Sequence, residues 1–263
     1  METIDKNMSY IIGLLQTDGN LYESSKTKGR ISLELNIKDF DIIDKLIQYI
    51  PVNYSISKRE RVTNYGQSST ISLRICDKNF REFIKKCGVP SGKKSNIIDY
   101  PKNIKYSEID YIRGLYDGDG SLGITSNNKP FISIVTSSEN LMKYITNYIT
   151  KILQTPLKNI NRNNRDKIYN ITIMNEDAVN FTKHLYYENC LSLNRKNNKA
   201  QEIFKWKRPD NIKKRIFLVK KWTKNENEFI KTHTVRESTV KLARTKQSIK
   251  TQLWRLSDQL TSV

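Results

Sequence analysis

Two acids, Asp18 and Asp119, are the pair in this chain best placed to do chemistry together. Each closes the same phrase. Tyr10 to Leu21 reads Tyr-Ile-Ile-Gly-Leu-Leu-Gln-Thr-Asp-Gly-Asn-Leu, and Tyr111 to Leu122 reads Tyr-Ile-Arg-Gly-Leu-Tyr-Asp-Gly-Asp-Gly-Ser-Leu. Gly13 matches Gly114, Leu14 matches Leu115, Gly19 matches Gly120, and the two acids stand 101 residues apart. Self-similarity at that period means two copies of one domain-sized unit. Carboxylates brought together by such copies repel each other. A divalent cation between them removes the conflict, and carboxylates with few other ligands suit Mg²⁺, or another divalent cation.

The apolar run before each acid must position it. Gly13 and Thr17 are four apart, as are Gly114 and Gly118, so each pair lies on one face of a helix. Small residues there let two helix backbones approach closely. Packed on that face, the helices bring their C-terminal ends together, where Gly19 and Gly120 suit the helix exit. The negative ends of both helix dipoles add to the repulsion between the acids. The expectation is a shared metal site on a pseudo-twofold axis, with Asp18 and Asp119 as ligands. One such phrase alone reads as an ordinary buried helix with a C-cap; two copies at domain spacing decide against that. An EF-hand fails as well: the loop starting at Asp117 has Leu122 where glycine is needed and Asn128 where Glu is needed.

Around the motifs the sequence lays out matching elements. In the first copy the motif helix spans about residues 8–18. Arg30 to Ile37 alternates as a half-buried strand, with Ile31, Leu33, Leu35 and Ile37 inward and Arg30, Ser32, Glu34 and Asn36 outward. A helix starts at Asp39. Strands Val52–Arg61 and Ser69–Cys76 are joined around Asn64-Tyr65-Gly66, with Ser72 and Arg74 outward, and a helix follows over Lys78–Lys86. The second copy reads as a helix over 107–118, strands near 121–126 and 130–137, and a helix over Glu139–Leu153 stopped by Pro156. Strands near 157–164 and 167–174 and a helix at 176–188 complete it. The fold expected is α+β: two pseudo-twofold-related α-β-β-α-β-β-α repeats, residues 1–103 and 104–207, with a small all-α module over 208–263. Antiparallel ribbons can enter the DNA major groove and read base edges. Arg30, Ser32, Glu34, Asn36, Arg59, Arg61, Ser72 and Arg74 are the candidates in the first half, and Asn170 and Thr172 in the second.

Over roughly residues 8–206 these features resemble the LAGLIDADG homing endonucleases in their single-chain, two-repeat form. The second motif is close to the family pattern. The first departs at Gln16, where the family often has Asp, but keeps Asp18, the later acid that is the family's metal ligand. The resemblance implies a monomeric, site-specific endonuclease that cuts both strands of a long asymmetric duplex across the minor groove, leaving short 3′ overhangs. It implies two saddle-like sheets, each on one half of the target. It also implies a lysine near the cleavage site in each repeat, and Lys94 and Lys196 follow the last helix of their repeats 102 residues apart. Such a charge can stabilise the charged transition state or order water; two exposed lysines in a lysine-rich chain are the other reading. Asn36 sits where the family places a polar residue that orients solvent. A non-cutting nucleic-acid binder on the same fold, either an intron maturase with intron RNA as partner or a transcription regulator, is the rival. Retention of both acids argues against it. No splicing segments flank the repeats, so an intein origin is not expected.

Composition agrees with a polyanionic partner. The 263 residues hold 46 Lys and Arg against 27 Asp and Glu, a net charge of +19. A coding bias toward A and T explains Lys over Arg but not the shortage of acids. No run reaches the roughly 18 apolar residues of a membrane span, and Met-Glu-Thr-Ile-Asp-Lys lacks a signal-peptide pattern. An intracellular protein with no membrane partner is expected, and phage, bacterial and organellar hosts all fit. Cys76, Cys87 and Cys190 form neither a disulfide framework nor a zinc site, and His184 and His233 are too few for a zinc finger or a histidine-based nuclease. Residues 208–263 carry 14 basic and 5 acidic residues. Thr223 and Glu226 form a helix-start signature, a second helix reads over Ser238–Ala243, and a third from Thr245 turns Ile249, Leu253 and Leu256 inward. Three short helices, the last one basic, resemble a Myb-like or helix-turn-helix module. Lys246, Gln247, Lys250 and Arg255 are then available to DNA; a solvated helical tail is the alternative.

Overall fold

The run before each acid is helical, and the alternating segments after it are strands. The computed structural model describes residues 2–63, 66–155, 160–163, 165–209 and 222–258. The chain divides into two units, residues 1–209 and 210–263. The first begins with β1 (Glu2–Thr3), α1 (Lys6–Thr17), β2 (Gly19–Glu23), β3 (Gly29–Asn36), α2 (Phe40–Leu46), β4 (Tyr54–Thr63), β5 (Gly66–Ile75) and α3 (Lys78–Lys86). It continues with β6 (Ile104–Lys105), α4 (Glu108–Asp119), β7 (Gly120–Ile124), β8 (Pro130–Thr136), α5 (Glu139–Leu153), β9 (Tyr169–Met174), α6 (Asn175–Leu185) and α7 (Asn194–Phe204).

The motif helices α1 and α4 lie against each other at the centre, and Tyr10, Ile12, Leu14, Tyr111, Ile112 and Leu115 are fully buried. Asp5 starts α1, its carboxylate accepting the Met8 N–H at 2.7 Å. An antiparallel sheet follows each motif helix: β2-β3-β5-β4 after α1 and β7-β8-β9 after α4. The inward residues of the alternating strands, Ile31, Leu33, Leu35, Ile71, Leu73 and Ile75, join one core with the helices. A short parallel pair, β1 with β6, ties the start of one repeat to the start of the other.

Four details differ from the sequence reading. The helix expected from Asp39 is preceded by a 3₁₀ turn, Ile37–Asp39, capped by the Asn36 side chain. No strand forms over 160–163, where the Asn163 carbonyl accepts the Lys167 N–H as in a turn; residues 156–159 and 164 of that expected strand lie outside the described residues, as do Asn64 and Tyr65 of the first hairpin. The two-residue strands β1 and β6 are too short to show a period. The stretch from Leu191, expected as a loop matching Lys93-Lys94, enters α7, so Lys196 is helical while Lys94 is in a loop.

The second unit holds α8 (Lys224–Thr232), α9 (Val235–Leu242) and α10 (Lys246–Asp258). Reciprocal caps, Thr223 with Glu226 and Thr234 with Glu237, start the first two. The second therefore begins three residues before the expected Ser238. Glu226 also pairs with Arg244 at 2.8 Å, and the Arg244 guanidinium stacks 3.9 Å over the Trp222 ring. Ile230 and Ile249 are buried, and Leu253 and Leu256 are partly so.

Candidate metal and nucleic-acid site

The glycines set the helix crossing. A Cβ on Gly13 would lie 2.2 Å from the Tyr111 carbonyl oxygen, and one on Gly114 would lie 2.2 Å from that of Tyr10. At Gly118 a Cβ would meet the Thr17 side chain. Gly13, Gly114, Gly118 and Thr17 thus form the predicted helix interface, with backbone against backbone.

The crossing delivers one acid from each repeat. Asp18 is the C-cap of α1 and Asp119 the last residue of α4, and both keep an open side. Desolvation, and then the charge of Asp119, push the Asp18 carboxyl up to about 6, against the pull of Lys196, Lys94 and Arg195. Desolvation also raises Asp119, against Lys94 and Lys196. Burial and the mutual repulsion of the two acids thus outweigh the attraction of the nearby cationic groups.

The two lysines enter this site in matching ways. Lys94 Nζ donates to the Leu15 carbonyl at 2.6 Å and to that of Gly19. Lys196 Nζ donates to the corresponding carbonyls, Tyr116 at 2.5 Å and Gly120 at 2.8 Å, and also to Asp117 at 2.6 Å. Each ammonium therefore caps the C-terminus of its motif helix, where carbonyls lack partners. Lys196 is only 3% exposed, which excludes the reading of two idle surface lysines. Desolvation holds both at about 8, against the raising effect of nearby acids.

A second shared device was not recognised in the sequence. Tyr10 O–H donates to Asp117 at 2.6 Å, and Tyr111 O–H donates to Gln16 at 2.6 Å. Each helix thus grips the other two residues before its acid. Asp117 is buried and also accepts from the Tyr186 hydroxyl and the Leu193 N–H, both at 2.7 Å. Gln16 donates instead, to the Gly88 and Asp99 carbonyls at 2.7 and 2.9 Å. A carboxylate could not make those donations, which accounts for the departure at Gln16. The signal was present: a tyrosine stands eight residues before each acid.

Register settles which strand residues face outward. Ser32 pairs with Asn20 and Arg74, Glu34 with Ser72, and Asn36 with Thr70. On β4, Arg59 and Arg61 share this row through Thr70 and Ser68. Arg30 lies beside Tyr22, its guanidinium 5.3 Å from the ring centroid. Ser72 departs from expectation. It lies in the outward row but is only 6% exposed, because it is short and flanked by Glu34 and Ser57 on neighbouring strands. Asn36 spends its Oδ1 on the Lys38 N–H at 3.0 Å, so that atom caps a turn. Asn20 and Tyr22 join the outward row and were missed, since β2 is a short strand whose alternation reads as part of a loop; Thr70, at the start of an expected strand, joins it as the partner of Asn36 and Arg59. In the second sheet Asn170 and Thr172 are outward and exposed, pairing with Val135 and Ser133. Lys246, Gln247, Lys250 and Arg255 are exposed on α10.

The donor set fits a hard divalent cation. Asp18 and Asp119 supply oxygens only, and among the described residues no group of three or more His, Cys, Asp or Glu side chains is placed to hold a metal ion. Two carboxylates leave most of an octahedral shell to water and to a ligand's phosphate oxygens, as Mg²⁺ prefers. No helix among the described residues is long and apolar enough to cross a membrane.

Comparison with known proteins gives the same fold. Residues 107–186 match the profile of a LAGLIDADG-like domain. The chain is similar to the homing endonuclease I-WcaI bound to its DNA recognition sequence, at 15% identity and a TM-score of 0.53, covering 76% of this chain and 88% of that one. A variant of I-DmoI, in complex with its target DNA and in the presence of manganese, aligns at 15% identity and a TM-score of 0.47 over 72% of this chain and 97% of that one. The tRNA-splicing ligase RtcB of Pyrococcus abyssi is 25% identical over 205 residues, 68% of this chain. The chain spans about a fifth of that relative's length, 22%. The fold is thus α+β, with residues 107–186 similar to a LAGLIDADG-like domain.

Proposed function

We propose that this chain is a site-specific, double-strand DNA endonuclease of the homing type, acting as a monomer on a long asymmetric target. One observation carries the reading: the crossing helices α1 and α4 end in Asp18 and Asp119, whose charges act on one another, and each helix end is capped by its own lysine. Asp18 and Asp119 would hold Mg²⁺ or another divalent cation, which supplies Lewis-acid activation of water and stabilises the leaving oxygen. Lys94 and Lys196 fix the helix ends so that the carboxylates are aimed before the substrate arrives, and their charges partly offset those of the acids. Arg30, Ser32, Glu34, Asn36, Arg59, Arg61, Arg74, Asn170 and Thr172 read base edges. Residues 208–263 act as a helix-turn-helix module, in which α9, a turn at Ala243 and α10 present Lys246, Gln247, Lys250 and Arg255 to DNA. Tethering raises affinity by linked binding.

The test is Mg²⁺-dependent linearisation of plasmids carrying a randomised target library. Asp18→Asn or Asp119→Asn should abolish cutting while DNA binding persists. Tight binding to structured RNA, with no duplex in the library cleaved, would favour the non-cutting binder.

A further inference from the structure

The two outward faces share one plan and carry different chemistry. Leu33 pairs with Leu73 in the first sheet as Ile134 pairs with Ile171 in the second, which aligns the faces position by position. Arg30 then corresponds to Phe131, Glu34 to Val135, and Arg74 to Thr172. Each charged position on the outward row of β2-β3-β5 is uncharged in β7-β8-β9. Val135 is 37% exposed, on a face where a monomer gains nothing from an apolar side chain. Glu34 is occupied by Thr70 at 3.0 Å and Arg61 at 3.4 Å, so arginines dominate the first row: Arg30 and Arg74 on β3 and β5, with Arg59 and Arg61 beside them on β4.

In the major groove an arginine fork matches guanine O6 and N7, asparagine matches adenine, and apolar side chains meet the thymine methyl. We propose that the second sheet selects an A·T-rich half-site through Phe131, Val135, Asn170 and Thr172, while the first selects guanines through Arg30 and Arg74. Base composition then fixes the direction in which the chain lies on its target. This rests on the reading of both faces as duplex DNA interfaces.

The experiment starts from binding selection of the full chain on a randomised duplex library, with Ca²⁺ in place of Mg²⁺. In the enriched duplex, thymines of each half are replaced by deoxyuridine, which lacks the methyl, and guanines by 7-deazaguanine, which lacks N7. Deoxyuridine should weaken binding about fourfold per contacted methyl in one half only. 7-Deazaguanine should weaken it roughly 5- to 150-fold per contacted base, in the other half only. Val135→Ser, at an exposed position, should relax selectivity in the half sensitive to deoxyuridine, and Arg74→Ala in the half sensitive to 7-deazaguanine. Equal sensitivity of both halves to either analogue overturns the proposal, with or without the variants. Enrichment of no duplex at all overturns the nucleic-acid reading itself, and the two failures are thereby distinguished.

Discussion

Gly114→Ala sets two opposed effects against each other, and their sizes decide the sign. Alanine is a better helix former than glycine by about 1 kcal/mol, so local propensity alone makes the variant more stable. The crossing opposes this. The new Cβ would sit 2.2 Å from the Tyr10 carbonyl oxygen and 2.9 Å from the Leu14 nitrogen. An ordinary C···O contact is about 3.3 Å, so the helices must part by roughly 1 Å. Both opposing atoms are backbone, and no rotamer change relieves them. A gap of that size forfeits a quarter to a half of the dispersion between facing atoms, and overpacking of this kind costs about 1–3 kcal/mol, occasionally more. Two backbone obstacles put the cost at the upper end of that range, about 3 kcal/mol, so the net expectation is a loss of about 2 kcal/mol, or roughly 4–8 °C in melting temperature for a unit of this size. Because the same displacement separates Asp18 from Asp119, cleavage should fall on the order of 100-fold. Gly13→Ala meets the mirror-related contact, and the double variant should lose less than the sum, since the helices part only once. Gly118→Ala is the control: its obstacle is the Thr17 side chain, so Thr17→Gly should restore part of the loss. Thermal denaturation by circular dichroism measures each of these variants. A Gly114→Ala variant that melts at or above the wild-type temperature would refute the crossing.

Sequence reading succeeded where a local pattern had one physical meaning. The glycine spacing and the duplicated acid allowed a single arrangement of the motif helices, and the alternation of Arg30 to Asn36 was enough by itself to put Ile31, Leu33 and Leu35 inside. It failed where the deciding partner was remote. Nothing near Lys196 announces that its ammonium ends on carbonyls 76 to 80 residues earlier, and nothing near Tyr10 points to Asp117, 107 residues away. Ser72 belongs to the face that alternation assigns it, but its exposure depends on neighbouring strands that alternation does not report. Gln16 looked like decay of an acid, yet its role is to donate to the Gly88 and Asp99 carbonyls, which bound the connection to the second repeat.

Three further outcomes follow from individual contacts. Lys196→Met strands at least three helix-end carbonyls in a buried site and should lower stability by about 2 kcal/mol in urea denaturation, with Lys94→Met costing less because two carbonyls are involved. Glu226→Gln breaks a pair whose side chains are 10% and 7% exposed; about 3 kcal/mol is lost, so amides of residues 222–258 should lose hydrogen-exchange protection while those of the first unit keep it. The last concerns pH. In metal-free protein the Asp18 carboxyl sits at about 6 rather than its ordinary 3.8, so between those values the folded chain holds the extra proton and stability falls as pH rises. That gap is worth about 3 kcal/mol unscreened and on the order of 1 kcal/mol for a carboxylate with an open side. Asp119, also raised, acts in the same direction. Lys94 and Lys196, at about 8 rather than 10.5, act oppositely above pH 8, where the unfolded chain holds the extra protons. Asp18→Asn removes one acid without changing the fold, so the difference between its melting curve and that of the wild type isolates this carboxyl. Wild type should lose ground to the variant from pH 4 to 6 and regain it when Mg²⁺ is added at pH 7; a difference that is flat across that range, or blind to Mg²⁺, would mean the two acids do not share a cation.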